Sequence, residues 1–183
     1  MRRQLTYFIL TTAILITFGT GCQPTSKGDG AEGEDQISLT VSSSAFIDGG
    51  EIPIQYTCDG ENISPPLSWS GVPVDAQSLA MIADDPDAPV GTFVHWVLYD
   101  LPPDVNSLSE GIVGVGTEGV NSFGETGYGA PCPPKGSTHR YFFKLYALDK
   151  PLNLDSGATK DDVEQSMKGH ILVQGELMGK YGR

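Results

Sequence analysis

Short apolar stretches separated by glycine, proline and acidic turns run through most of this chain, and few of them are long enough for a helix. Residues 38–42 (SLTVS) alternate and predict a first strand. Residues 51–57 (EIPIQYT) set Ile52, Ile54 and Tyr56 against mostly polar neighbours and predict a strand, with Pro53 placing it at an edge or bulge. Residues 65–69 (PPLSW) read as a short strand entered through prolines. Residues 78–83 (SLAMIA) form an apolar run without alternation, the pattern of a strand buried on both faces. The strongest strand signal is residues 92–101 (TFVHWVLYDL), rich in β-branched and aromatic side chains. Residues 141–148 (YFFKLYAL) and 171–177 (ILVQGEL) complete the set. One helix is predicted. Thr159 caps it, Asp161, Asp162 and Glu164 lie in or near its first turn where the helix dipole favours negative charge, and Val163 and Met167 share an apolar stripe. Lys168 falls in its last turn, and Gly169 ends it. Residues 101–134 are glycine-rich with little periodicity, and a loop of that length is usually functional when ordered. The fold class expected is mostly β, a sandwich with one or two short helices.

The N-terminus follows different rules. Arg2 and Arg3 precede a largely apolar run over residues 5–18, followed by Gly19-Thr20-Gly21-Cys22. A short basic region, an apolar stretch and small residues before a cleavage point describe a secretory signal over residues 1–21, and the run is too short for a convincing membrane span. Cys22 after Gly21 resembles a bacterial lipobox, whose cysteine is diacylated, although Gly19 stands where leucine is usual. Acylation at Cys22 predicts a lipoprotein held on a membrane, each buried methylene contributing about 0.8 kcal/mol; the alternatives are plain secretion with Cys22 incidental, or an uncleaved anchor. Residues 22–36 contain no large apolar side chain and read as a flexible tether, so the folded domain is expected over residues 37–183. With Cys22 acylated, Cys58 and Cys132 remain as an even pair in an oxidising compartment, either as a disulfide or as two buried thiols.

Charge narrows the partners. Eleven Lys and Arg against 23 Asp and Glu give a formal charge of −12, and no basic stripe interrupts it, which argues against nucleic-acid binding. Removal of residues 1–21 takes away two arginines and makes the chain more acidic still.

Only three histidines occur, and two sit in unusual settings. His95 lies inside the most apolar strand, where strict alternation puts it on one face with Phe93 and Val97, opposite Val94 and Trp96. His139 opens the strand that contains Tyr141, on the same face. Upstream of His95 stands Asp84-Asp85-Pro86-Asp87-Ala88-Pro89, and upstream of His139 stands Cys132-Pro133-Pro134-Lys135-Gly136. Proline fixes φ, so such loops hold their carboxylates at low ordering cost. A carboxylate beside an imidazole fixes its tautomer. Two oriented imidazoles donate to phosphate or carboxylate, and an exposed aspartate accepts from an ammonium, which together suit a zwitterionic head group. Taken singly, each element has a plainer explanation: Asp-Pro-Asp-Ala-Pro is most often a turn, a strand histidine is most often structural, and Arg140 is solvated or ion-paired. No His-x-His or His-Glu-x-x-His spacing supports a metal, and no Gly-x-Ser-x-Gly, Walker or dinucleotide motif supports a nucleophile or a cofactor.

The order of these motifs is more specific than any one of them. Asp85-Pro86-Asp87-Ala88-Pro89, Gly91-Thr92-Phe93-Val94-His95-Trp96, Cys132-Pro133-Pro134-Lys135-Gly136 and His139-Arg140-Tyr141 resemble the phosphatidylethanolamine-binding protein family, in its bacterial Raf kinase inhibitor-like branch. Residues 56–69 (YTCDGENISPPLSW) and 179–183 (GKYGR) extend the resemblance over residues 38–183. It implies a Greek-key β-sandwich with an anion pocket at one end. In that pocket Asp85 and Asp87 supply the acidic loop, His95 and His139 the imidazoles, Pro133 and Pro134 the rim, and Tyr141 a phenol on the wall. Phe93 replaces a tryptophan found in many eukaryotic members, and nothing here corresponds to the C-terminal helix of animal members, so a more open pocket is implied. The expected function is binding of phosphate or phospholipid head groups by a membrane-anchored protein without enzymatic activity or cofactor. The alternative is regulation of a protein partner such as a protease or kinase, and the resemblance leaves room for a homodimer. A hydrolase built on Asp85, Asp87 and the histidines lacks an identifiable nucleophile.

Overall fold

The computed structural model describes residues 38–183, so the signal segment 1–21, Cys22 and the tether 22–36 lie outside the described residues. Eight strands and one α-helix follow in chain order: β1 (Thr40–Ser42), β2 (Leu67–Ser70), β3 (Ser78–Asp85), β4 (Phe93–Leu101), β5 (Ser107–Leu108), β6 (Thr117–Glu118), β7 (Thr138–Leu148), α1 (Lys160–Met167) and β8 (Ile171–Gly182). They form a three-stranded sheet in the order β1-β2-β5 and a five-stranded sheet in the order β6-β4-β3-β7-β8. All strand pairs within the sheets are antiparallel. The central strand β3 pairs with its successor β4 and with the distant β7, the non-consecutive neighbour that Greek-key connections produce.

Two apolar layers explain the sequence pattern. Between the sheets, Val41, Leu67 and Trp69 pack with Leu79, Met81, Trp96, Leu98, Tyr141, Phe143 and Leu145. On the outer face of the large sheet, Ala80, Ile82, Val97, Tyr99 and Leu148 pack with Val163 and Met167 of α1. All eight residues of β3 are buried, which is why residues 78–83 read as a continuous apolar run. The helix starts as its sequence dictates. Asp162 N donates to the Thr159 hydroxyl, and the Asp162 carboxylate accepts from Thr159 N, a reciprocal capping box. Lys168 is its C-cap rather than part of its last turn, and Gly169 follows at φ 78°.

Three expectations change. Residues 51–57 do not form a strand: Glu51 makes an isolated bridge to Lys180, and residues Ile54–Tyr56 form a 3-10 turn. Pro53 enters that turn at φ −58°, and Ile54 O accepts from both the backbone N–H and the hydroxyl of Thr57. Ile54 therefore faces solvent, although Ile52 and Tyr56 are buried. The last strand runs on to Gly182, because its glycines serve packing: a Cβ at Gly175 would meet the Leu39 carbonyl oxygen at 1.9 Å. The third change concerns β4. Asp84 pairs with Val94 but Ala83 pairs with Trp96, so His95 is the extra residue of a β-bulge. The bulge breaks the alternation. Val94 and Val97 lie together on the helix side, while Trp96 packs between the sheets and His95 meets Tyr141.

Candidate functional site: a cavity between two anchored imidazoles

Three strand ends meet at one end of the large sheet. Asp85 closes β3, Phe93 and His95 open β4, and His139 opens β7. They line a cavity of about 240 Å³ whose other walls are Ala88, Pro89, Val90, Phe123, Cys132, Pro133 and Pro134.

Each imidazole is held by one nitrogen. His139 Nδ1 donates to Asp85 Oδ2 at 2.7 Å, with both side chains nearly inaccessible to solvent. The other oxygen of Asp85 accepts from Asp87 N at 2.8 Å, so the loop that follows β3 folds onto the same carboxylate. His95 Nδ1 lies 2.6 Å from the Gly129 carbonyl oxygen, which can only accept, so that nitrogen carries the proton. In both rings Nε2 is thereby left as the second polar atom. His139 Nε2 also lies 3.3 Å from the Ser137 hydroxyl. Burial pushes the His95 pKa below its ordinary value, against the opposing pull of the Gly129 carbonyl and of the Asp85 and Asp84 charges. His95 is neutral at pH 7 on that account.

The glycine-rich segment is ordered by one buried side chain. Asn121 Oδ1 accepts from Phe123 N and Glu125 N, and its Nδ2 donates to Gly127 O. Ser122 pairs with Val94 in both directions, through Ser122 N to Val94 O and Val94 N to Ser122 Oγ. Phe123 is thereby set with its ring centroid 4.8 Å from Phe93 and 5.9 Å from His95. Gly129 permits this, since a Cβ there would meet the Phe123 ring at 2.5 Å.

Of the residues singled out from sequence, Asp85, His95, Pro133, Pro134 and His139 line the cavity. Asp87 does not. It takes a two-pronged ion pair from Arg140, Nη2 to Oδ1 at 2.6 Å and Nε to Oδ2 at 2.8 Å, with Arg140 N as a third donor. The hydrogen bond from Arg140 holds the Asp87 carboxyl down at about 2. Tyr141 lies behind the site rather than on its wall: it is buried, its ring sits edge-on 5.2 Å from His95, and its Oη has no hydrogen-bond partner in the protein. Phe123 and Val90 are cavity residues that motif spacing did not mark, and Phe93, marked there for pocket shape, lines the cavity. An aromatic side chain alone in a glycine-rich loop was the available signal for Phe123. Cys58 and Cys132 form a disulfide with Cα atoms 5.4 Å apart, next to the proline rim. Among the described residues no cluster of His, Cys, Asp and Glu is suited to a metal ion, and no helix is long and apolar enough to cross a membrane.

Among the described residues, the two sheets, the packed helix α1 and the end-of-sheet cavity define a particular class of β-sandwich. The chain belongs to the phosphatidylethanolamine-binding protein family, whose model matches residues 42–182. It is 52% identical over 151 residues to a UPF0098 protein of Methanothermobacter thermautotrophicus, covering 79% of this chain and 99% of that one. A UPF0098 protein of Pyrococcus horikoshii is 43% identical over 183 residues, covering 95% of this chain and 88% of the other. The fold is that of a phosphatidylethanolamine-binding protein homologue of Chlamydia trachomatis, with TM-score 0.78 and 44% identity over 80% of this chain and 99% of that chain. Escherichia coli YbcL, a member of the same family, superposes with TM-score 0.74 at 30% identity, again over 80% and 99% of the two chains.

Proposed function

We propose that this protein is an exported, lipid-anchored binding protein whose cavity takes a small anion, either inorganic phosphate or the phosphate of a phospholipid head group. The observation that carries the reading is the paired anchoring of His95 and His139 through Nδ1, which leaves two Nε2 atoms unanchored in a mostly apolar cavity whose one carboxylate, Asp85, is engaged by His139 and Asp87 N. When each Nε2 carries a proton, both rings donate to one oxyanion from fixed positions, and little ordering is required on binding. His95 must take up a proton to do this, so affinity rises as pH falls. Asp87 is engaged by Arg140, so recognition rests on the phosphate more than on an ammonium group. The N-terminal pattern and the disulfide support export, and Cys22 supports lipid attachment. No catalytic role is assigned.

Native mass spectrometry of residues 37–183 with phosphate, phosphoethanolamine and phosphatidylethanolamine vesicles tests the reading, alongside the His95→Ala/His139→Ala double variant. One-to-one binding lost in the folded double variant is expected. Equal affinity for phosphate and phosphoethanolamine identifies phosphate as the recognised group, and tighter vesicle binding identifies the lipid. A folded wild-type chain that binds none of the three overturns the proposal and turns attention to a protein partner. Metabolic labelling with palmitate, lost in Cys22→Ala, checks the anchor.

A further inference from the structure

The disulfide sits where a purely structural cross-link need not be. Both Cys58 and Cys132 are exposed to solvent. Cys132 lines the anion cavity and also borders a second cavity of about 250 Å³, which Cys58 lines too. Phe123 stands beside both cavities. The two residues after Cys132 are the proline rim, so the bond tethers one wall of the anion site to the segment after the 3-10 turn. Besides the disulfide, Cys58 N donates to Pro131 O across the same junction.

A cation completes the arrangement. Arg183 Nη1 lies 2.9 Å from Cys132 Sγ and 3.3 Å from Cys58 Sγ. Arg183 Nη2 pairs with Asp59 at 3.3 Å, and Asp59 also accepts from the Tyr181 hydroxyl at 2.6 Å, which holds the guanidinium in place. A fixed positive charge beside a sulfur favours its thiolate and makes that sulfur the better leaving group. Exposed disulfides are the ones open to exchange.

We propose that Cys58–Cys132 is a thiol–disulfide exchange site, at which an external dithiol attacks Cys58 Sγ and expels Cys132 as a thiolate held by Arg183. The first step forms a bond between the incoming sulfur and Cys58 and breaks the Cys58–Cys132 bond. In the second step the other thiol of the reagent, as thiolate, attacks the mixed disulfide and releases Cys58, which takes up a proton. The reagent ends as a disulfide, and the protein has gained two electrons and, with Cys58 protonated, a free thiol beside the Cys132 thiolate. Opening the bond releases the Cys132-Pro133-Pro134 wall, so the redox state of the pair sets how well the cavity is formed. This second half rests on the anion-binding reading.

The test uses the full chain with Cys22→Ser, incubated with reduced glutathione, quenched in acid and peptide-mapped. The adduct is expected on Cys58 in excess of Cys132 by about threefold or more, and Arg183→Gln is expected to slow exchange by roughly the same factor and to erase the preference. An adduct mainly on Cys132, or an Arg183→Gln chain that matches wild type in rate and preference, overturns the exchange site. Reduction is expected to weaken phosphate binding by about fivefold or more and to move the His95 and His139 imidazole resonances. Unchanged affinity with unchanged resonances overturns the coupling. Failure of the oxidised chain to bind phosphate counts against the anion reading alone, because the adduct map and the imidazole resonances still decide this one.

Discussion

Asp84 and Asp85 are adjacent, both buried, and treated in opposite ways. Strand geometry sends them to opposite faces of β3. On the helix side, both oxygens of Asp84 accept from Lys144 at 2.9 Å, and Oδ2 also accepts from Lys160 of α1 at 2.9 Å. Burial works against the Lys160 ammonium, but the hydrogen bond and charge of Asp84 outweigh it and hold its pKa above the ordinary value. On the cavity side, Asp85 meets an imidazole and a backbone N–H, with no lysine or arginine bonded to it. One carboxylate is saturated by two permanent cations and locks a helix to a sheet. The other is paired with the His139 imidazole, next to open space. The lesson is that the cavity wall here differs from the structural joint by the kind of partner supplied, not by burial.

The largest effect should come from breaking the joint. Asp84→Ala leaves two ammonium groups facing a hole and is expected to cost about 3 kcal/mol in urea unfolding, as for other buried pairs deprived of one partner. Loss below a third of that would place Asp84 among ordinary surface pairs. Gly129→Ala comes next. The new methyl must displace the Phe123 ring, at a cost of about 2 kcal/mol, and a shift of the His95 resonances in the same variant would confirm where the strain goes. Asp85→Asn should cost less stability, about 1.5 kcal/mol, yet abolish phosphate binding, the reverse of Asp84→Ala in a chain that stays folded. Both variants losing phosphate equally would erase the distinction between the two faces.

Acid should separate the sides without mutation. His95 has a folded pKa below its unfolded value of about 6.5. The unfolded chain therefore binds more protons as pH falls through that value, and ligand-free stability declines below about pH 6.5. Phosphate, which needs the proton on Nε2, should stabilise more over the same range. Thermal melts at several pH values with and without phosphate read both trends, and parallel curves would remove His95 from the site. Lys160 stays charged throughout that range, so the joint is insensitive. The smallest effect belongs to Arg140→Gln. The pair with Asp87 is exposed, so urea unfolding near pH 7 should hardly move. What the pair contributes is present above the unfolded carboxyl value of about 3.8 and disappears as pH falls to about 2.

Much of this was legible in the sequence. Residues 78–83 announced a buried strand because burial on both faces removes alternation, and Thr159 with its acidic first turn announced the helix start because capping is local chemistry. The pairing of the acidic loop with two strand histidines located the cavity. What stayed hidden depended on partners far along the chain. Alternation in residues 51–57 looked like a strand, but Pro53 and Thr57 closed a turn and left Ile54 in solvent. The face assignment in β4 failed because a bulge depends on register with β3, which no pattern within β4 reveals. That Asp87 is paired with Arg140 of β7 and stands off the cavity wall is likewise set by a partner far along the chain. Phe123 reached the site through Asn121 and Gly129, a loop architecture that carries no periodicity.

The bulge at His95 has a meaning for anyone who would redesign this scaffold. A regular ladder has no use for that residue: the flanking pairs of β3 and β4 are complete on either side of it. Its side chain is therefore outside the ladder's alternation and is set by the Gly129 carbonyl, the cavity and the rings of Phe93, Phe123 and Tyr141. Exchanging it for another polar group leaves strand register untouched, and deleting it would restore regular pairing with Val94 still opposite Asp84 and Phe93 still opposite Asp85, at the loss of the imidazole. The position behaves like a socket cut into a frame, where recognition can be rewritten while the frame keeps its shape.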